Sequence, residues 1–185
     1  MTQSELLDRL ESDLNEILKQ VRTHFADQAP ALMIQRSAPN RWSAQECFAH
    51  LNAQFDYYLP RIELALHKAK ARRWMPAQER KSNGLGRRAI QAVNPANLAT
   101  RPRRSPKSIN PSKLLQVREN ELKIFLINQE LMLRLLRQAR EVDISKASIK
   151  PMGWHISSFL LGDLLEYLTR HSQRHLQQAH STIWQ

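Results

Sequence analysis

The sequence predicts an all-α protein, a four-helix bundle with a long basic, mostly irregular connection between helices two and three. Three observations carry that expectation. Apolar residues recur at three-and-four spacing in four stretches of about 25 residues each, the period of a helix with one buried face. Glycine is scarce, at 4 of 185 residues, which disfavours a turn-rich β architecture. No strand pattern competes and no internal repeat is visible. A hydrophobic share of 42% with 24% charged residues excludes a fully disordered or fibrous chain, and the length suits one domain, 1–185, better than two.

Helix one opens on a capping box, Thr2 and Glu5, and carries Leu6, Leu7, Leu10, Leu14, Ile17, Leu18 and Val21 along one face before ending ahead of Pro30. Helix two has the clearest start signal. Ser43 is the N-cap and Glu46 closes the box, while Trp42 before the cap and Cys47 at the fourth helical position can form a hydrophobic staple. Its stripe is Cys47, Phe48, Leu51, Phe55, Tyr58, Leu59 and Ile62. The connection, about 72–109, holds Pro76, Gly84, Gly86, Pro95, Pro102 and Pro106, and leaves room for one short helix near Gly86 to Val93. Helix three is expected from Asn110, with Pro111 in its first turn, through Leu114, Leu115, Val117, Leu122, Phe125, Leu131, Met132, Leu135 and Leu136. Helix four is expected from near Ser157 to about Ile183, with Leu160, Leu164, Tyr167 and Leu168 on one side.

The charge is unevenly placed. From Lys68 to Lys107 there are twelve lysines and arginines against one acid, Glu79, so the whole net charge of +11 lies in that segment. Such a run is a solvated loop, an attractor for a small anionic substrate, or a phosphate-binding surface for nucleic acid in which Arg101, Arg103 and Arg104 neutralise backbone charge and Trp74 stacks on a base. The single cysteine excludes an internal disulfide framework and a Cys-rich zinc module. No apolar run approaches the roughly 18–20 residues that cross a bilayer, and the opening MTQSELLDRLESDL is acidic and polar, so a cytoplasmic protein without a membrane partner is expected.

Candidate chemistry sits in the histidines. At about 100° per residue His171 falls near the middle of the helix-four stripe, and His175 lies one turn further on the same face. Two imidazoles at i and i+4 can grip one metal ion. His50, on the flank of the helix-two stripe beside Gln54, is a candidate third ligand that the helical wheel permits without demanding. His155, at the entry to helix four, and Tyr167, one turn before His171, are candidates for touching substrate or supporting a ligand. His24, His67 and His180 are expected to be solvated, and Cys47 to be a small buried hydrophobe. Glu46 is already explained by its cap, and no general base is identifiable.

The run Trp42-Ser43-Ala44-Gln45-Glu46-Cys47-Phe48-Ala49-His50-Leu51, with His171-Ser172-Gln173-Arg174-His175 late in the chain, resembles the DinB-like four-helix-bundle proteins. That family carries one histidine at the end of a W-S-x-x-E-x-x-x-H-L run on its second helix and an H-x-x-x-H pair on its last. The resemblance implies that His50, His171 and His175 together hold one divalent ion, with zinc or nickel favoured. The family's characterised members include transferases and isomerases working with low-molecular-weight thiols, and the reading drawn for this chain is a metal-dependent hydrolase or a thiol-cofactor-dependent S-transferase. The long basic connection departs from the family's pattern. The alternatives are a nucleic-acid-binding bundle and a non-catalytic, metal-stabilised dimerisation module; a homodimer is compatible with each.

Overall fold

The computed structural model describes the chain apart from residues 98–104, 114–115, 154–156 and 185. Its helices are α1 (Gln3–His24), α2 (Pro30–Ile34), α3 (Ala44–Ala71), α4 (Gly84–Ala92), α5 (Glu121–Ala139) and α6 (Leu161–Ile183). Short 3₁₀ turns occupy Pro95–Asn97 and Lys107–Ile109. Four long helices, α1, α3, α5 and α6, form the bundle expected from the periodicity. Each of α1 and α3 packs along both α5 and α6, so the first two long helices face each other across the bundle. The core between them is built from the stripes read in the sequence: Leu6, Leu10, Leu14 and Ile17 of α1 and Phe48, Phe55 and Ile62 of α3 share one buried cluster with Phe125 and Met132 of α5 and Leu164 and Leu168 of α6. Each such side chain contributes roughly 1.5–3 kcal/mol through removal from water.

Both predicted capping boxes are present. Thr2 Oγ1 accepts from the Glu5 N–H at 3.1 Å and the Glu5 carboxylate accepts from the Thr2 N–H at 2.8 Å. Ser43 and Glu46 exchange the same pair of bonds at 3.2 and 2.8 Å, which fixes the register of α3 from its first turn.

Three expectations are corrected. Helix three does not begin at Asn110; α5 starts at Glu121. Residues 106–113 instead fold into a 3₁₀ turn and a second turn in which Asn110 accepts from the N–H groups of Ser112 and Lys113. Glu121 provides the later start, because its carboxylate accepts from the Arg118 N–H and from Asn52 Nδ2 across the seam. Leu114 and Leu115 lie outside the described residues. Helix four begins at Leu161 rather than Ser157, and the chain is not free of strands: β1 (Ser148–Ile149) pairs antiparallel with β2 (Phe159–Leu160) just before α6. Two residues per strand are too few to show an alternating pattern.

The connection is more structured than expected. It carries α4 and both 3₁₀ turns, and its first half is tied to the bundle by main-chain bonds from Gln3 N–H to Gln78 and from Asp143 N–H to Trp74 at 3.2 and 2.8 Å. Its strongest anchor is Arg80, whose guanidinium donates to Asp163 and Glu166 of α6, both at 2.6 Å. Asp163 is completely buried and also accepts from the Asn83 N–H, while Glu166 accepts from Arg9 and Arg170. Gly86 is required here, since a Cβ would come within 2.5 Å of Asp163 side-chain atoms. Together these contacts hold α4 against the first turn of α6 and set the height of the helix that carries His171 and His175.

Candidate metal centre

His50 lies two turns into α3, and His171 and His175 occupy one face around the middle of α6. The packing of α3 against α6 brings all three together, each less than a tenth exposed, with one ring nitrogen from each inside a 4.8 Å cluster. Ring centroids are 5.2 Å apart for His50 and His171, 4.7 Å for His50 and His175, and 4.5 Å for His171 and His175.

The hydrogen bonds determine which nitrogens face inward. His50 Nδ1 lies 2.7 Å from the Ile109 carbonyl, which can only accept, so Nδ1 carries the proton and Nε2 is left with a lone pair. His171 Nδ1 donates to Gln54 Oε1 at 2.9 Å, which leaves its Nε2 bare as well. That Nε2 lies 3.0 Å from Nε2 of His175. Two donors bound to one ion at about 2.0–2.1 Å are separated by roughly 3.0–3.4 Å at right-angled to tetrahedral geometry, so the spacing suits shared coordination. Among the described residues His175 Nδ1 is buried without a hydrogen-bond partner.

Burial favours the neutral rings that a metal needs. It pushes His50 down to about 4, against the opposing pull of the Ile109 carbonyl. His171 and His175 are pushed well below the ordinary imidazole value by burial first, and then by positive charge at the neighbouring rings and at Arg174. All three rings are neutral at neutral pH, so none has to lose a net proton; His50 and His171 already present a bare Nε2, while the proton that His175 Nε2 shares with His171 has to move to Nδ1.

Aromatic rings wall the cluster. Trp42 stacks on His175 with an interplanar angle of 20° and a centroid distance of 5.7 Å, and lies 5.0 Å from His50. On the other side Tyr167 stacks on His171 at 5.4 Å and 17°, with Phe159 behind it. The Tyr167 hydroxyl accepts from Gln54 Nε2 at 3.4 Å, so one amide joins the tyrosine to the imidazole. The donor set, three neutral, buried imidazoles flanked by aromatic rings, could hold a divalent ion and leave a coordination position for an outside ligand.

A model of the DinB superfamily matches residues 6–179. The chain belongs to the DinB superfamily. No curated protein and no solved structure gives a significant match. Membership agrees with the resemblance carried by the Trp42–Leu51 run and the His171–His175 pair, and those are the histidines that this superfamily member brings together.

The other sequence candidates fall elsewhere. Trp74 is half-buried and packed against the core, with the Arg72 guanidinium 5.1 Å from its ring centroid. Arg101, Arg103, Arg104 and His155 lie outside the described residues. Cys47 is fully buried in the apolar core, and burial pushes its thiol well above the ordinary value, as befits a core residue. Glu46 is occupied by its cap and by Arg36, whose Nε donates to it at 2.8 Å. His67 is exposed, and the exposed His24 and His180 pack against Trp184. No helix among the described residues is long and apolar enough to cross a membrane.

Sequence reasoning missed three contributors. Gln54 stands one turn after His50, and that i+4 spacing was a usable signal. Trp42 was visible as a staple residue and as the first residue of the Trp42–Leu51 run, neither of which places its ring on the histidines, and the carbonyl of Ile109 has no sequence signature.

Proposed function

We propose that the chain is a metal-dependent enzyme that holds one divalent ion, zinc or nickel, on His50, His171 and His175, and acts as a hydrolase or a thiol-cofactor-dependent S-transferase. What supports this is the convergence of three neutral, buried imidazoles, two of them held in the required tautomer by Ile109 and Gln54. An ion bound there supplies Lewis acidity at neutral pH, lowering the pKa of a water or thiol placed beside it. The chain's own residues do the rest. Ile109 and Gln54 orient the rings, Trp42 and Tyr167 keep water from the sides, and the absence of a carboxylate from the three-residue ligand cluster leaves the ion's charge uncompensated. That balance favours a small anionic group as the outside ligand.

The test is elemental analysis of the tag-free protein after dialysis, beside the variant His50→Ala/His171→Ala/His175→Ala. About one equivalent of metal in the wild type and none in the variant is expected, followed by turnover in a screen of thiol cofactors with electrophiles and of hydrolysable esters and amides. Equal metal uptake by both proteins overturns the assignment.

A further inference from the structure

We propose that the turn at 106–112, contributed by the basic connection, is a working part of the metal centre: a strap whose seating and the occupancy of the three histidines are thermodynamically linked. The proposal rests on the metal-binding reading above and adds a component that none of the histidines reveals.

The strap reaches the centre at two points. Ile109, itself buried, directs its carbonyl onto His50 Nδ1 at 2.7 Å. Three residues later Ser112 Oγ accepts from the Trp42 indole N–H at 3.1 Å, and that indole lies against both His175 and His50. Trp42 is tied in turn to α6, since its carbonyl accepts from the Thr182 hydroxyl at 3.4 Å. One seven-residue stretch thus contacts a ligand on α3 directly and a ligand on α6 through one ring.

The turn is closed on itself by local bonds, from Ile109 N–H to the Pro106 carbonyl at 3.2 Å and from Asn110 N–H to the Lys107 carbonyl at 3.3 Å. With the Ser112 N–H donating to Asn110 Oδ1 at 3.0 Å, these bonds join Ile109 and Ser112 in one local unit. A cation at Nε2 draws electron density through the His50 ring and makes Nδ1–H a stronger donor, which tightens the bond to Ile109. Coupling of this kind is reciprocal, so a strap that holds Nδ1 must hold the ion more firmly in the same proportion. With the indole pinned by Ser112 over His175, lifting the strap is also a step in ion release.

The test uses the full chain with zinc(II) as probe. Hydrogen exchange of peptides covering 105–113 is measured with and without one equivalent of zinc, alongside calorimetric titration of the same sample. About tenfold slower exchange on loading is expected, within the usual range of coupling between sites, with no zinc effect in His171→Ala/His175→Ala. Stoichiometric zinc binding with unchanged exchange at 105–113 overturns the strap and leaves the metal site standing. Failure of zinc to bind overturns the metal reading itself. Ser112→Ala provides a second measurement, because it removes the acceptor for Trp42 without touching a ligand. Zinc release to an excess of chelator is expected to quicken about three- to tenfold at unchanged apo stability, and a wild-type release rate refutes the linkage.

Discussion

Replacing Gln54 by leucine isolates the support of one metal ligand. Gln54 is nearly buried, and its Oε1 is the acceptor that keeps the proton of His171 on Nδ1. Leucine fills similar space but accepts nothing. His171 then has two choices. It can leave Nδ1–H unsatisfied in a buried site, at about 1–3 kcal/mol. Otherwise it moves the proton to Nε2, which faces His175 Nε2 at 3.0 Å and is tolerable only while no cation competes. Both penalties fall mainly on the metal-loaded state. Zinc affinity is therefore expected to drop 10–100-fold, about 1.4–2.7 kcal/mol, with a much smaller change in apo stability. Competition against a chromophoric chelator measures the first, and urea denaturation with chelator present measures the second. Gln54→Glu keeps an acceptor at the same place and is expected to stay within about threefold of wild type. A Gln54→Leu protein that binds zinc within twofold of wild type would refute the role of the amide.

Two further outcomes follow from the same contacts. Arg80→Met strips the buried Asp163 and Glu166 of their shared guanidinium and leaves Asp163 with only the Asn83 N–H; a loss of about 3–5 kcal/mol in urea unfolding is expected, and a loss below about 1 kcal/mol would show that the pair is not energetically buried. Because burial pushes His50 down to about 4, and His171 and His175 well below their usual range, protons compete with metal only far below the roughly 6.5 of a free imidazole. Zinc should stay bound at about pH 5.5 and leave toward about pH 4, and half-release near about pH 6.5 would mean that the rings titrate as exposed ones.

The parts of this molecule legible in the sequence are those governed by local periodicity and capping. Thr2 with Glu5 and Ser43 with Glu46 announce α1 and α3 because a capping box is a contact between residues three apart. His171 and His175 are legible as a pair for the same reason: i and i+4 share a face whatever the rest of the chain does. His50 needed either the family resemblance or the structure, since its wheel position beside the stripe is compatible with facing α6 or α5. The start of α5 was misplaced because Pro111 is acceptable in a first helical turn, while the features that exclude a helix there are long-range. The Ile109 carbonyl is taken by His50, and the Glu121 carboxylate is taken by Asn52. Arg80 gave no sign of being different from the eleven other bases of its segment, although among the described ones it is the one whose guanidinium is drawn onto the two acids of α6.

Helix α3 shows why so much of the site hangs on one element. Its apolar stripe of Phe48, Leu51 and Phe55 is flanked on both sides by buried polar groups, and that is why its sequence reads as only weakly amphipathic. Toward α6 stand His50 and Gln54. Toward α5 stands Asn52, whose amide donates to the Glu121 carbonyl and carboxylate at 2.9 and 2.6 Å and whose oxygen accepts from Asn128 at 3.1 Å. An apolar seam permits sliding by a fraction of a turn at modest cost, but a hydrogen-bonded one does not, because every donor must be met again at the new register. The Asn52 bonds therefore lock the height of α3 on α5, and Arg80 locks the height of α6 through Asp163 and Glu166. His50 meets His171 and His175 at the level those two anchors set, so the precision of the cluster originates in residues that touch none of its three rings.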